Sequence, residues 1–373
     1  MSTYYIPLST ALWTFPLIAL LAVLPYIIYN YRKYGAVSVL RTVILFSFAF
    51  YLQCAYFLVI LPLPDPDVVA ALTGPTSDLV PFHFIPDFIE KAPFVFNQPS
   101  TWLPTLKSPV FLEPLFNSIL LVPFGIYLAY YFKAGWKKVL LSSFLLSLFF
   151  EISQLTGLFW LYPRPYRIFS IDDLMLNSLG GLVGYFIYSG LLRSLPKRER
   201  MDEKSAQRSA RVSYTRRFCA LIIDLLIMLL ISRGLSAVFA THSPYVNAIV
   251  LCVYSVAFSL LTRGKTVGRM VVRIKAAKRA QGKLPFALAV TIRYLGRSAV
   301  FFVFLFFSDM AEAAASADHQ RIWIYAIIAV TLLLLLDFLI SLRRGKRLWY
   351  ERLSGTENVS TFQRKKTKAS TAR

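Results

Sequence analysis

Apolar residues gather in blocks long enough to cross a bilayer, separated by short polar segments. Mostly apolar stretches of roughly 17–25 residues, the length of a spanning helix, fall at about nine places: 12–29, 40–61, 115–132, 139–159, 173–192, 218–241, 245–262, 291–311 and 322–342. Only helices and closed barrels satisfy their backbone polar groups in hydrocarbon. The pattern therefore predicts an all-α, polytopic transmembrane helical bundle of about nine spans. No basic segment precedes the first block and no small-residue cleavage site follows it, so it is expected to stay as a helix.

Two stretches interrupt the pattern. Segment 62–114 is crowded with proline and aromatic residues, which predicts an extended or turn-rich cap packed at the membrane surface. Segment 196–211 is rich in charge and nearly free of large apolar side chains, as expected of a linker between two modules.

Composition supports the membrane reading. The 373 residues are 57% hydrophobic, with 31 Phe and a mean hydropathy of +0.56. The formal charge of +22 comes from Lys and Arg concentrated after the first, third, fifth, seventh and ninth blocks. By the positive-inside rule these five segments are cytoplasmic, the amino terminus is outside and the carboxyl terminus inside. Arg293 and Arg297 interrupt the eighth block and are expected to snorkel to the cytoplasmic surface. No basic stretch carries a nucleic-acid reading motif, so the expected partner is the lipid bilayer. Cys54, Cys219 and Cys252 lack metal-ligand spacing and read as core or lipid-buried thiols. His83, His242 and His319 are scattered and read as surface residues.

Polar side chains inside apolar blocks are the candidate chemistry, because they are expensive at membrane depth. Glu151 and Gln154 share one helix face, as do Asp173 and Asn177. Arg164 and Arg167 fall in a segment assigned to the outside, where pairing with Asp172, Asp173 or Glu151 would compensate them. Together with Asn117 these residues form a candidate polar pocket. It has two readings: a site for a lipid-linked or cell-wall ligand or for proton movement, or a packing network tying loop to bundle. No cofactor is implied, and without a nucleophile or a metal cluster enzymatic chemistry is not the expectation. In the second half Arg217 and Asp224 share a face, and Asp337 approaches the same side. These three are candidate ion-coupling residues for a monovalent cation or proton, with structural hydrogen bonding as the alternative. Gly180, Gly181 and Gly184 read as a close-packing face. The run Gly264, Lys265, Thr266 lacks the first glycine of a phosphate loop and reads as a cytoplasmic turn. The alternating stretch 270–276, before Gln281 and Gly282, predicts a short hairpin or interfacial segment.

Four ordered motifs resemble the VanZ-like family of bacterial membrane proteins: 78–82 (DLVPF), 117–125 (NSILLVPFG), 147–154 (SLFFEISQ) and 167–181 (RIFSIDDLMLNSLGG). Three more resemble the RDD family: 217–224 (RFCALIID), 264–269 (GKTVGR) and 351–356 (ERLSGT). Glu351 stands where that family usually has Asp. These resemblances imply a first helix over 1–37, a VanZ-like domain over 38–195, a linker over 196–211, an RDD-like domain over 212–362 and a basic tail over 363–373. They also imply a protein of the bacterial cytoplasmic membrane. The first family is associated with resistance to teicoplanin-type glycopeptides, and some members of the second with cation/proton exchange. The leading expectation is non-enzymatic binding of a cell-wall precursor, lipid or glycopeptide. The rival is a cation/proton transporter.

Overall fold

In the computed structural model of the chain, residues 2–196, 198–239, 244–280, 282–314, 316–344 and 347–362 are described. Thr241, His242, Gln281 and the tail 363–373 lie outside the described residues. Eight described helices are long and apolar enough to cross a membrane. They coincide with eight of the nine blocks. The remaining block, 218–241, corresponds to a 26-residue helix, Tyr214–Phe239. The chain divides into two compact units, one of Met1–Ala22 with Val39–Met201 and one of Val23–Ser38 with Asp202–Arg373.

The first unit begins in helix α1 (Ser2–Tyr34) and continues with α2 (Val39–Ile60). The cap is more helical than its prolines suggest, with α3 (Pro66–Ala70), α4 (Phe84–Lys91) and α5 (Trp102–Leu106). Pro66 sits in the first helical turn, where its missing N–H removes nothing from the helix. The Asp65 carboxylate accepts from the Asp67 N–H at 3.0 Å and caps α3. Helices α6 (Pro109–Leu120) and α7 (Val122–Tyr130) form one bent span. Pro114, inside α6, removes a helical donor ahead of the break at Leu121, and Pro123 sits in the first turn of α7. Helix α8 (Trp136–Leu155) ends in a turn, α9 (Gly157–Trp160), where Leu158 and Phe159 take left-handed angles. Helix α10 (Ile171–Leu191) packs against α6, α7 and α8. Strands β1 (Ser77–Asp78) and β2 (Phe169–Ser170) pair in parallel and tie the cap to the entrance of α10.

Glycine makes that packing close. An added Cβ on Gly125 would sit 1.9 Å from the Gly181 carbonyl oxygen, and one on Gly184 2.1 Å from that of Val122. Backbone thus lies on backbone between α7 and α10, as the close-packing reading of these glycines requires.

In the second unit the end of α1 supplies Tyr31 to an apolar core with Cys219, Ala220, Ile223, Val272 and Ile274. Within segment 196–211, residues 198–208 form helix α11 (Arg198–Arg208), with Met201 and Ser205 buried. Its spacing of Met201, Ser205 and Ser209 gives it a small inward stripe that composition alone hides. The long helices are α12 (Tyr214–Phe239), α13 (Pro244–Leu261), α15 (Phe286–Glu312) and α16 (Ala317–Arg344). Short helices α14 (Val267–Val271) and α17 (Trp349–Leu353) join them. The alternating stretch does form a strand, β3 (Ile274–Lys278), but not a local hairpin. It pairs antiparallel with β4 (Thr356–Ser360), more than seventy residues on. Long-range pairing wins because both strands leave turns anchored to the helices: Gly264, at φ +89°, lies against the Ala276 carbonyl, and Gly355 has φ +63°.

Candidate functional site

The polar residues of the first unit come together around the entrance of α10, but mostly on backbone partners. The Asp172 carboxylate accepts from the Phe82 N–H at 2.6 Å and the Phe84 N–H at 3.0 Å, and so anchors the start of α4. Asp173 accepts from the Asn117 amide at 2.6 Å, across α6 and α10. The Asn177 amide donates to the Ser147 hydroxyl at 3.0 Å, which donates to the Asp173 carbonyl at 3.3 Å. Glu151, buried, accepts from the Ser170 N–H at 3.0 Å. Gln154 donates to the Val59 carbonyl at 3.0 Å.

The arginines do not pair with these acids as expected. Arg164 donates to the carbonyls of Leu72 and Gly74, and Arg167 to that of Leu61 at 3.5 Å. Arg167 is exposed, within electrostatic reach of Glu151 and Asp173, and no ion pair joins them among the described residues. Carbonyl oxygens of the cap supply the acceptors instead, and backbone acceptors leave no mark in sequence.

Beside this cluster lies an apolar cavity of about 360 Å³ between α4 and α6, lined by residues including Ile85, Phe88, Phe111, Ser118 and Leu176. Ser118 follows Asn117 on α6 and Leu176 lies one turn beyond Asp173 on α10, so the cavity and the polar cluster draw on the same two helices. In the cap, His83 is no isolated surface residue. Its imidazole hydrogen-bonds the Asp78 carboxylate. That bond holds His83 above the usual imidazole range and Asp78 below the usual carboxylate range.

In the second unit Asp224 is fully buried. Its carboxylate accepts from the Thr266 hydroxyl at 2.7 Å, the Gly268 N–H at 2.8 Å and the Tyr254 hydroxyl at 3.1 Å. The turn 264–269 thus docks on α12 through a hydroxyl and a backbone amide. Gly268 is required there, since a Cβ would lie 2.0 Å from the Ala220 carbonyl. Asp337 accepts from Arg352 at 2.5 Å and from the Trp349 N–H at 3.1 Å. Among the described residues neither aspartate contacts Arg217 or a basic side chain of the 263–283 segment. Arg217 instead pairs with Glu351 at 3.1 Å.

Glu351 is the acid at the centre of this unit. Fully buried, it binds Arg293 at 2.6 Å as well as Arg217, and the Asn358 amide also donates to it. Arg293 also donates to Thr356 at 2.6 Å. Arg293 therefore does not snorkel as expected: it is 1% exposed, and its counter-charge Glu351 is buried beside it. Sequence reasoning also missed Arg216. It is fully buried, with bonds to the carbonyls of Val272, Ser209 and Arg273 at 2.7, 3.2 and 2.8 Å. Two adjacent arginines offer no sequence signal for which one faces the core. Among the described residues, no group of three or more His, Cys, Asp or Glu could hold a metal ion.

No curated protein and no solved structure matches the chain significantly. Two family models do match, VanZ/LLP1 over residues 48–193 and RDD over residues 211–350. The chain is accordingly a multi-pass membrane protein that joins a VanZ-like module to an RDD family module, in that order.

Proposed function

We infer that the protein is a non-enzymatic envelope protein of the bacterial cytoplasmic membrane whose VanZ-like module binds a lipid-linked cell-wall precursor on its outer side. The observation that carries this reading is the apolar cavity between α4 and α6, whose lining shares helices α6 and α10 with the Asn117 and Asp173 pair. An apolar chain fills such a cavity, while the carboxylates and amides of Glu151, Asp173 and Asn177 meet the hydroxyl and amide groups of a sugar-peptide head. A glycopeptide of the teicoplanin type competes for the same precursor, which connects the module to the resistance associated with its family. The transporter reading draws less support, since both Asp224 oxygens and both Asp337 oxygens already accept hydrogen bonds from protein donors.

Native mass spectrometry of the full-length protein in mild detergent tests the proposal. A retained lipid-linked precursor is expected, and Leu176→Trp, which fills the cavity, removes it at unchanged yield. A protein that retains no such species and leaves glycopeptide susceptibility unaltered defeats the reading. A pH-dependent cation flux in sealed vesicles, abolished by Asp224→Asn, would install the transporter in its place. The orientation is tested by cysteines at the exposed positions Ser77 and Lys204: an impermeant external reagent should label the first and spare the second.

A further inference from the structure

The RDD module encloses a second cavity, of about 330 Å³, lined by four arginines, Arg217, Arg269, Arg293 and Arg297, and one acid, Asp337. Asp337 is taken by Arg352. Glu351, beside the cavity, is shared by Arg217 and Arg293. Arg269 and Arg297 have no acid within ion-pairing distance among the described residues; both guanidiniums stack on Tyr294 at 5.1 Å from its ring centre.

Each of the four arginines keeps one buried guanidinium nitrogen without a hydrogen-bond partner: Nε of Arg217, Arg293 and Arg297, and Nη1 of Arg269. Arg269 itself is only 6% exposed. A guanidinium stays protonated at ordinary pH, so burial cannot neutralise it. Unpaired buried charge is costly and calls for a counter-anion with several acceptor oxygens. Such a concentration of positive charge also disfavours a cation in this cavity.

Apart from Tyr214, Tyr350 and Asn358 the remaining walls are apolar, with Leu221, Phe301 and Leu334 on three helices. Phe218 and Phe338, also lining it, are 60% and 39% exposed and continue the apolar surface outward along α12 and α16. We propose that this cavity binds the phosphate headgroup of an anionic phospholipid, with its acyl chains leaving along Phe218 and Phe338. Arginine suits this role because its donor fork matches phosphate oxygens. The site is independent of the precursor site proposed for the VanZ-like module.

The test is thermal unfolding of the full-length protein in neutral detergent, titrated separately with phosphatidylglycerol, phosphatidylcholine and inorganic phosphate. Phosphatidylglycerol should raise the midpoint saturably and phosphatidylcholine should not. Inorganic phosphate should need roughly a hundredfold higher concentration, because it lacks chains to bury. The double variant R269Q/R297Q should weaken phosphatidylglycerol binding roughly tenfold or more. If that variant fails to fold, Leu334→Trp, which fills the cavity without changing charge, should diminish the phosphatidylglycerol response of the folded protein. Equal responses to both lipids, or a wild-type response in the folded double variant or in Leu334→Trp, would overturn the proposal. A phosphate response at the phosphatidylglycerol concentration would make this a free-anion site and overturn the lipid assignment.

Discussion

The two modules manage buried charge in opposite ways. In the VanZ-like module the acids rest on neutral donors: Asp172 on two backbone amides, Glu151 on a third, and Asp173 on an asparagine. Arg164 and Arg167 lie apart, on backbone carbonyls. In the RDD module one glutamate is gripped by two arginines, and further arginines surround it. Neutral donors let an acid be exchanged for its amide with little electrostatic consequence. A clamped ion pair does not, because removing one charge strands the others in a low dielectric.

That difference is broken or sharpened first at Glu351. Glu351→Gln leaves Arg217 and Arg293 without their anion and should cost about 3–5 kcal/mol, the usual penalty for breaking a buried pair. Glu151→Gln keeps an acceptor for the Ser170 N–H and should cost about 1 kcal/mol or less. Unfolding in detergent measures both. Similar losses for the two variants would erase the distinction between the modules.

Asp224 of the RDD module also rests on neutral donors, two hydroxyls and a backbone amide, but both of its oxygens accept, so an amide nitrogen put there must face a donor. Asp224→Asn weakens charge-assisted hydrogen bonds to Thr266 and Gly268 and should cost about 1.5–3 kcal/mol. Folding yield is the first readout and cation flux the second. Wild-type yield with abolished flux would make Asp224 a coupling residue. Wild-type yield, flux and glycopeptide susceptibility together would remove both roles.

Hydrocarbon-length apolar runs made the spans legible in sequence, because a bilayer imposes length on every one of them. Partners were harder to read. Arg164 and Arg167 were expected on acids and sit on carbonyls, which every residue carries. Arg293 was assigned to the surface because its partner, Glu351, lies in a motif fifty-eight residues away. The cap prolines suggested an extended chain, but Pro66 and Pro109 open helices, the one interior-compatible place for that ring. Glu151, Asp173, Asn177 and Asn117 were legible by their cost in lipid, and Asn117 does meet Asp173, while the Ser170 backbone N–H that satisfies Glu151 was not.

The glycine seam comes next, where α7 and α10 of the VanZ-like module meet backbone on backbone. Gly125→Ala forces a Cβ to within 1.9 Å of the Gly181 carbonyl oxygen. Backbone cannot yield as a side chain can, so α7 and α10 must separate, at about 1–3 kcal/mol. An equally stable Gly125→Ala protein would show that the seam is not a tight one.

The smallest expected effect lies in the cap, where an acid does meet a cation. His83 and Asp78 are bonded and both largely solvated. Their mutual bond raises the His83 pKa and lowers that of Asp78. The His83 contribution is therefore complete below its unfolded pKa and lost as pH rises through its raised folded value. The Asp78 contribution is present above its unfolded pKa and lost as pH falls through its lowered folded value. The link is strongest in the mildly acidic window between those limits, and salt should weaken it because water and ions reach both groups. An NMR titration of the His83 imidazole should move to lower pH in Asp78→Asn, while the melting of the whole protein barely changes. An unmoved titration would mean that the cap, like the acids below it, is held by neutral hydrogen bonds alone.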